Sequence, residues 1–134
     1  MTAGWFRHPA GRRVAGKIAV LLAALAPGGG CRPAAPAVLV AGGDAARGRE
    51  AINAYGCGAC HVVPGVRAAQ GKVGPPLTAF AGRAYIAGEA PNTTSALIKW
   101  IMNPQSVEPG TAMPALGVSE AHARDIAAYL YTLQ

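Results

Sequence analysis

Bulky apolar side chains are scarce in this chain of 134 residues, which has two Phe, two Trp and four Tyr. A small domain so poor in them buries little apolar surface and is marginal by itself. Its hydrophobic fraction of 51% is no remedy, because Ala supplies much of it, and 18 Gly and 11 Pro punctuate the rest. Acidic side chains are scarce too, six against twelve Lys and Arg. None precedes Asp44, whereas Arg7, Arg12, Arg13, Lys17 and Arg32 do. From Asp44 onward seven basic residues meet six acidic ones, a net charge of +1. The excess positive charge therefore belongs to the leader, which sets aside a role in binding nucleic acid. There is no internal repeat. There are only three cysteines, so a thiol is left over even if two of them act together.

Residues 1–30 read as a signal peptide. Arg7, Arg12, Arg13 and Lys17 make its positive start, and residues 18–26 make an apolar stretch. A bilayer takes about 20 residues to cross, so this stretch is too short to span one. An uncleaved helix that stays as an anchor is the alternative. The residues after Arg12-Arg13 match a twin-arginine signal poorly, and the general export route fits better. Gly28-Gly29-Gly30-Cys31 resembles the lipobox of bacterial lipoproteins, although Gly28 stands where that motif usually has Leu. Lipidation of Cys31 accounts for the odd thiol and predicts membrane contact. Removal of Cys31 with the leader is the alternative. Residues 31–43 then form a tether, and residues 44–134 the folded domain.

Within that domain Asp44 caps a helix over residues 45–55, with Gly48, Ile52 and Tyr55 on one face. Glycine inside a helix costs about 1 kcal/mol against alanine, so another backbone is expected to come close at Gly48. Gly56 ends the helix. Residues 62–74 are loop, Pro75-Pro76 imposes an extended bend, and a short helical turn is expected around residues 77–82. Residues 84–92 return to loop. Thr93 or Thr94 starts a second long helix that Pro104 stops. It turns Leu97, Ile98, Ile101 and one face of Trp100 inward. Residues 104–118 form a long loop containing Met113. Ser119 caps the last helix, where Ala123, Ile126, Ala127, Leu130 and Leu133 recur at helical spacing. No strand pattern is visible. The expected fold is a small all-α domain, with three main helices, a short one, and long loops wrapped around something.

Cys57-Gly58-Ala59-Cys60-His61 says what that something is. Two thiols separated by two residues can form two thioether bonds from one tight turn, and the next residue can aim an imidazole at iron. That is a haem c attachment site, and one such motif predicts one covalently bound haem. Three rivals fit the same atoms less well. A thioredoxin-like pair needs a strand-to-helix junction. A zinc site needs a fourth ligand, and His122 does not complete a convincing one. The third is a plain disulfide. The iron also needs a ligand on its other face. Met113, in a loop beside Pro114, has no evident packing role and is the preferred donor. Met102, His122 and an open site are the alternatives. A thioether there stabilises ferrous iron and raises the potential.

From Asp44 to Gln134 the chain resembles the class I mono-haem cytochromes c. Gly48 and Ile52 lead into Cys57–His61, Gly74-Pro75-Pro76-Leu77 follows, and then come Asn103-Pro104 and Pro109-Gly110-Thr111-Ala112-Met113. The resemblance implies that the Pro75 carbonyl accepts a hydrogen bond from the His61 ring. It also implies that Thr111 sits near a haem propionate, and that the last helix, through Ile126 and Tyr129, crosses the first near Gly48. Arg83, Tyr85 and Trp100 are candidates for the propionate environment. The domain departs from the mitochondrial type in having only Lys72 and Lys99 rather than a ring of lysines.

The expected function is that of an exported electron carrier, not a catalyst, with six-coordinate His/Met haem. Its location would be the periplasm or the outer face of the cytoplasmic membrane. Its partners would be redox proteins of a respiratory chain: a quinol-oxidising complex, a dehydrogenase or a terminal oxidase. A small apolar rim of Ala59, Val62, Val63 and Pro64 is expected where they dock. A haem subunit held in an oxidase or dehydrogenase complex is the second reading. An open-site haem enzyme or sensor is the third.

Overall fold

Asp44 opens the first helix, α1 (Ala45–Ala54), by accepting a hydrogen bond from the Arg47 amide at 2.8 Å. Thr93 does the same for Ala96 at the start of α2 (Thr94–Met102), and Ser119 for His122 at the start of α3 (Glu120–Leu130). Each such cap contributes about 1 kcal/mol, because it satisfies an amide the helix itself leaves unpaired. These residues belong to a computed structural model that describes residues 38–134. The signal peptide expected at 1–30, the candidate lipidation site Cys31 and the start of the tether lie outside the described residues.

α1 packs principally on α3, and α2 packs on α3 from elsewhere on its surface. α3 is therefore covered on more than one face. That is why Ala123, Asp125, Ile126, Ala127 and Leu130 are all buried, a wider arc than one apolar stripe supplies. The crossing of α1 and α3 is a backbone contact. A Cβ on Gly48 would lie 1.9 Å from the Asp125 carbonyl oxygen, so only glycine lets the helices approach this closely. Ile52 and Leu97, each 1% exposed, anchor the core around α3.

The connections hold more structure than the sequence suggests. Single helical turns occupy Cys57–Ala59, Phe80–Gly82 and Pro104–Ser106. Within residues 84–92 lies a small antiparallel ribbon, β1 (Tyr85–Ile86) and β2 (Ala90–Pro91). Two residues per strand are too few to reveal an alternating pattern, so the loop expected there conceals a hairpin. Val40 is buried, and the Arg124 guanidinium donates to the Ala41 carbonyl, so packing begins before Asp44. Among the described residues the architecture is nonetheless the small all-α fold: three helices, long loops and almost no sheet. Among the described residues no helix is long and apolar enough to cross a membrane.

Candidate haem site

The turn that carries the paired cysteines is drawn tight by its own backbone. The Cys60 and His61 amides both donate to the Cys57 carbonyl, at 3.2 and 3.0 Å. Residues 69–77 then return along the turn and close over it. Gly71 donates to Gly58 at 3.0 Å, Gly74 to Cys60 at 2.8 Å and Leu77 to Val62 at 2.8 Å. Cys57 and Cys60 are free thiols, half-buried. Burial pushes the Cys57 thiol up from its ordinary value. A thioredoxin-type nucleophile needs the opposite shift.

His61 is held from two directions. Its Nδ1 lies 2.7 Å from the Pro75 carbonyl oxygen. A carbonyl only accepts, so Nδ1 carries the proton and Nε2 keeps its lone pair. The ring also rests on Gly74, where a Cβ would come within 2.3 Å of Cε1. Nε2 has no hydrogen-bond partner among the described residues. Two free thiols, an imidazole with an available lone pair and a second bond fixing its tautomer are what covalent haem attachment requires. Among the described residues no three His, Cys, Asp or Glu side chains converge as a metal cage.

The other residues singled out from sequence fall into separate groups. Arg83 joins the His61 clamp from outside. Its guanidinium donates to the Pro76 carbonyl and to Thr78 at 3.1 Å, and lies over the Phe80 ring at 5.3 Å. Met113, half-buried, is bonded through its backbone to Gln105 and Thr111. Trp100 is half-buried against the core, and Tyr85 is 59% exposed on β1. Met102 also packs on the core, while His122 is exposed and bonded to Tyr55 at 2.9 Å. Val63, expected on an apolar rim with Ala59, Val62 and Pro64, is instead 1% exposed in the core. Its amide bonds Ala69, which turns the loop and its side chain inward. A groove of about 830 Å³ between α2 and α3 is lined by Ile98, Met102 and Arg124 among others, but by none of Cys57, Cys60 and His61.

Sequence reasoning did not single out three sets of contacts that tie distant parts of the fold together. Tyr129 of α3 donates to the Pro64 carbonyl at 2.5 Å, tying the loop after His61 to the last helix. Asn92 donates to Phe80 and Arg83, and accepts from the buried Tyr131 at 3.0 Å. Asp125 accepts from Arg47 and from the Asp44 amide. Each set includes a bond between residues at least 39 apart in the chain, and no local spacing announces it.

A helical fold closed around a Cys57–His61 turn defines a haem-carrying electron-transfer domain. The cytochrome c family model matches residues 45–134, and the chain belongs to that family. Membership implies covalently bound haem c with its iron, and haem-based electron transfer. Among curated proteins, cytochrome c oxidase subunit 2 of Alkalihalophilus pseudofirmus is 37% identical over 89 residues. The match covers 66% of this chain and 25% of that protein, so this chain spans about a quarter of its relative's length.

Proposed function

We propose that this domain carries one haem c as a six-coordinate electron carrier, with Cys57 and Cys60 as its thioether residues and His61 and Met113 as its axial ligands. The observation that carries the reading is the His61 clamp, in which Nδ1 bonds to Pro75, the ring rests on Gly74, and Nε2 is left available. When bound, the haem supplies a one-electron couple between ferric and ferrous iron. The chain's own residues do the rest. Pro75 fixes the tautomer of His61 and makes it a stronger donor. Ile52, Val63, Leu97 and Ile126, all nearly inaccessible to solvent, supply apolar packing that keeps water out of the domain. In this reading Thr111, Arg83, Tyr85 and Trp100 contribute to the propionate environment.

Residues 1–30 act as an export signal and residues from 31 as a tether, which joins the cytochrome domain of 44–134 where Val40 packs against it. Cys31 is the lipid-anchoring residue that would hold the domain at the outer face of the cytoplasmic membrane. The likeness to part of an oxidase subunit favours a second arrangement, in which the domain serves as a haem-bearing part of an oxidase complex. Both arrangements have redox partners in a respiratory chain. Retention of an oxidase through detergent purification distinguishes the second.

Visible spectroscopy of the haem-loaded chain and of Met113→Ala tests the ligand assignment. The wild type is expected to be low-spin with a sulfur-to-iron absorption in the ferric state. Met113→Ala is expected to lose that absorption, bind carbon monoxide when reduced, and show a lower potential. An unchanged spectrum and potential would exclude Met113 as a ligand.

A further inference from the structure

Met113 lies beyond the regular structure, and few polar contacts hold it. α2 ends at Met102, the Pro104–Ser106 turn follows, and the chain reverses at Gly110, whose φ is +89°. The backbone bonds inside this loop stop short of Met113. Val107 and Glu108 both donate to Pro104 at 3.0 Å, and Thr111 donates to Glu108 at 3.2 Å. The Met113 amide has only a local contact with the Thr111 hydroxyl, at 3.4 Å. Its carbonyl has a much better one. The Gln105 side-chain amide donates to it at 2.7 Å, across eight residues. Since a carbonyl only accepts, the N–H end of the amide must be the end that faces Met113.

We infer that Gln105 is a positioning residue, the latch that holds the Met113 loop closed. One end of the latch is rigid, because Gln105 sits in the turn that directly continues α2, and Pro104 in that turn is buried. The other end is the residue whose side chain the site needs. Gln105 is itself exposed and lies outside the core. Its amide therefore acts on the loop rather than on the fold. The inference rests on the reading of Met113 as an axial ligand.

The test uses the haem-loaded full chain and imidazole as a probe that takes the place of the Met113 sulfur. At saturating imidazole, the rate of the spectral change reports how often the loop opens. Gln105→Leu, which keeps much of the bulk but removes the donor, should open about fivefold faster, the factor a hydrogen bond of ordinary net strength represents. Gln105→Lys, which restores an N–H donor, should return the rate to within about twofold of wild type. The thermal midpoint of the helical signal should be the same in all three. An unchanged rate in Gln105→Leu overturns the latch. So does a faster rate that Gln105→Lys fails to reverse, or one accompanied by a matching loss of thermal stability. Met113→Ala separates the two ideas. If it keeps the sulfur-to-iron absorption, the ligand reading fails. If it loses the absorption while the Gln105 variants behave as wild type, only the latch fails.

Discussion

Asp125 is an acidic side chain that the fold buries, at 4% exposed. The Arg47 guanidinium grips it through Nε at 2.9 Å and Nη2 at 2.8 Å, and the Asp44 amide adds a third bond at 2.7 Å. Burial alone would raise the pKa of this carboxyl, but the hydrogen bonds from Arg47 outweigh it and hold the value below the ordinary carboxylate range. His122, nearby on α3, pushes in the same direction when charged. A folded-state pKa below the unfolded one adds stability above the unfolded value, and that stability is lost as the pH falls. Asp125→Asn should therefore be less stable than wild type at pH 7 by about 2 kcal/mol, the contribution of hydrogen bonds to a charged group. The gap should narrow as the pH drops below about 4, the unfolded carboxylate value. Urea unfolding followed by circular dichroism across that range measures both effects. Asp44 was legible as a helix cap. Its neighbour in space was not, because Asp125 lies 81 residues away.

The helices themselves were almost fully legible as elements. Asp44, Thr93 and Ser119 cap where the sequence suggests, because capping is a local competition for amide protons. Gly48 raised the expectation of a close approach, and the α1–α3 crossing is where it happens. A methyl group there would meet the Asp125 carbonyl at 1.9 Å, and neither helix backbone can yield cheaply. Gly48→Ala should cost about 3 kcal/mol or more by overpacking, read as a lowered denaturant midpoint of the haem-loaded protein. The ribbon of β1 and β2 and the turn at Pro104–Ser106 were not legible, since elements of two or three residues carry no periodicity. Neither was the inward turn of Val63. Its neighbours look alike on paper, and only the bond to Ala69 decides which of them is buried.

For the molecule as a whole, the scarcity of large side chains has a direct consequence. Phe80 and Tyr131 are the only aromatic residues among the buried hydrophobic side chains of the described domain, and small residues such as Ala51, Ala69, Ala123 and Ala127 fill much of the rest. Such a core contributes little beyond the entropy cost of ordering the chain. Haem c, bound covalently and apolar over most of its surface, would be buried only in the folded state and so would stabilise it. The double variant Cys57→Ser/Cys60→Ser, which cannot form the thioethers, should therefore have lost most of its helical circular dichroism at 37 °C. Wild type carrying haem should retain it. A fully helical, cooperatively melting haem-free variant would show that the side chains suffice.

The amino-acid sequence by itself determined the Cys57–His61 motif, the helices and their caps, and the placement of positive charge ahead of Asp44. These are properties of neighbours, set by spacings of a few residues. Its first feature, the shortage of bulky side chains, marked the domain as marginal by itself. Only the tertiary structure decided how the motif is braced. Gly74 beneath the His61 ring, Tyr129 on Pro64, Asn92 between Phe80 and Tyr131, and Arg47 on Asp125 all depend on the path of the chain. That path follows from how α1 and α2 pack around α3, and packing is a long-range balance that no local spacing encodes.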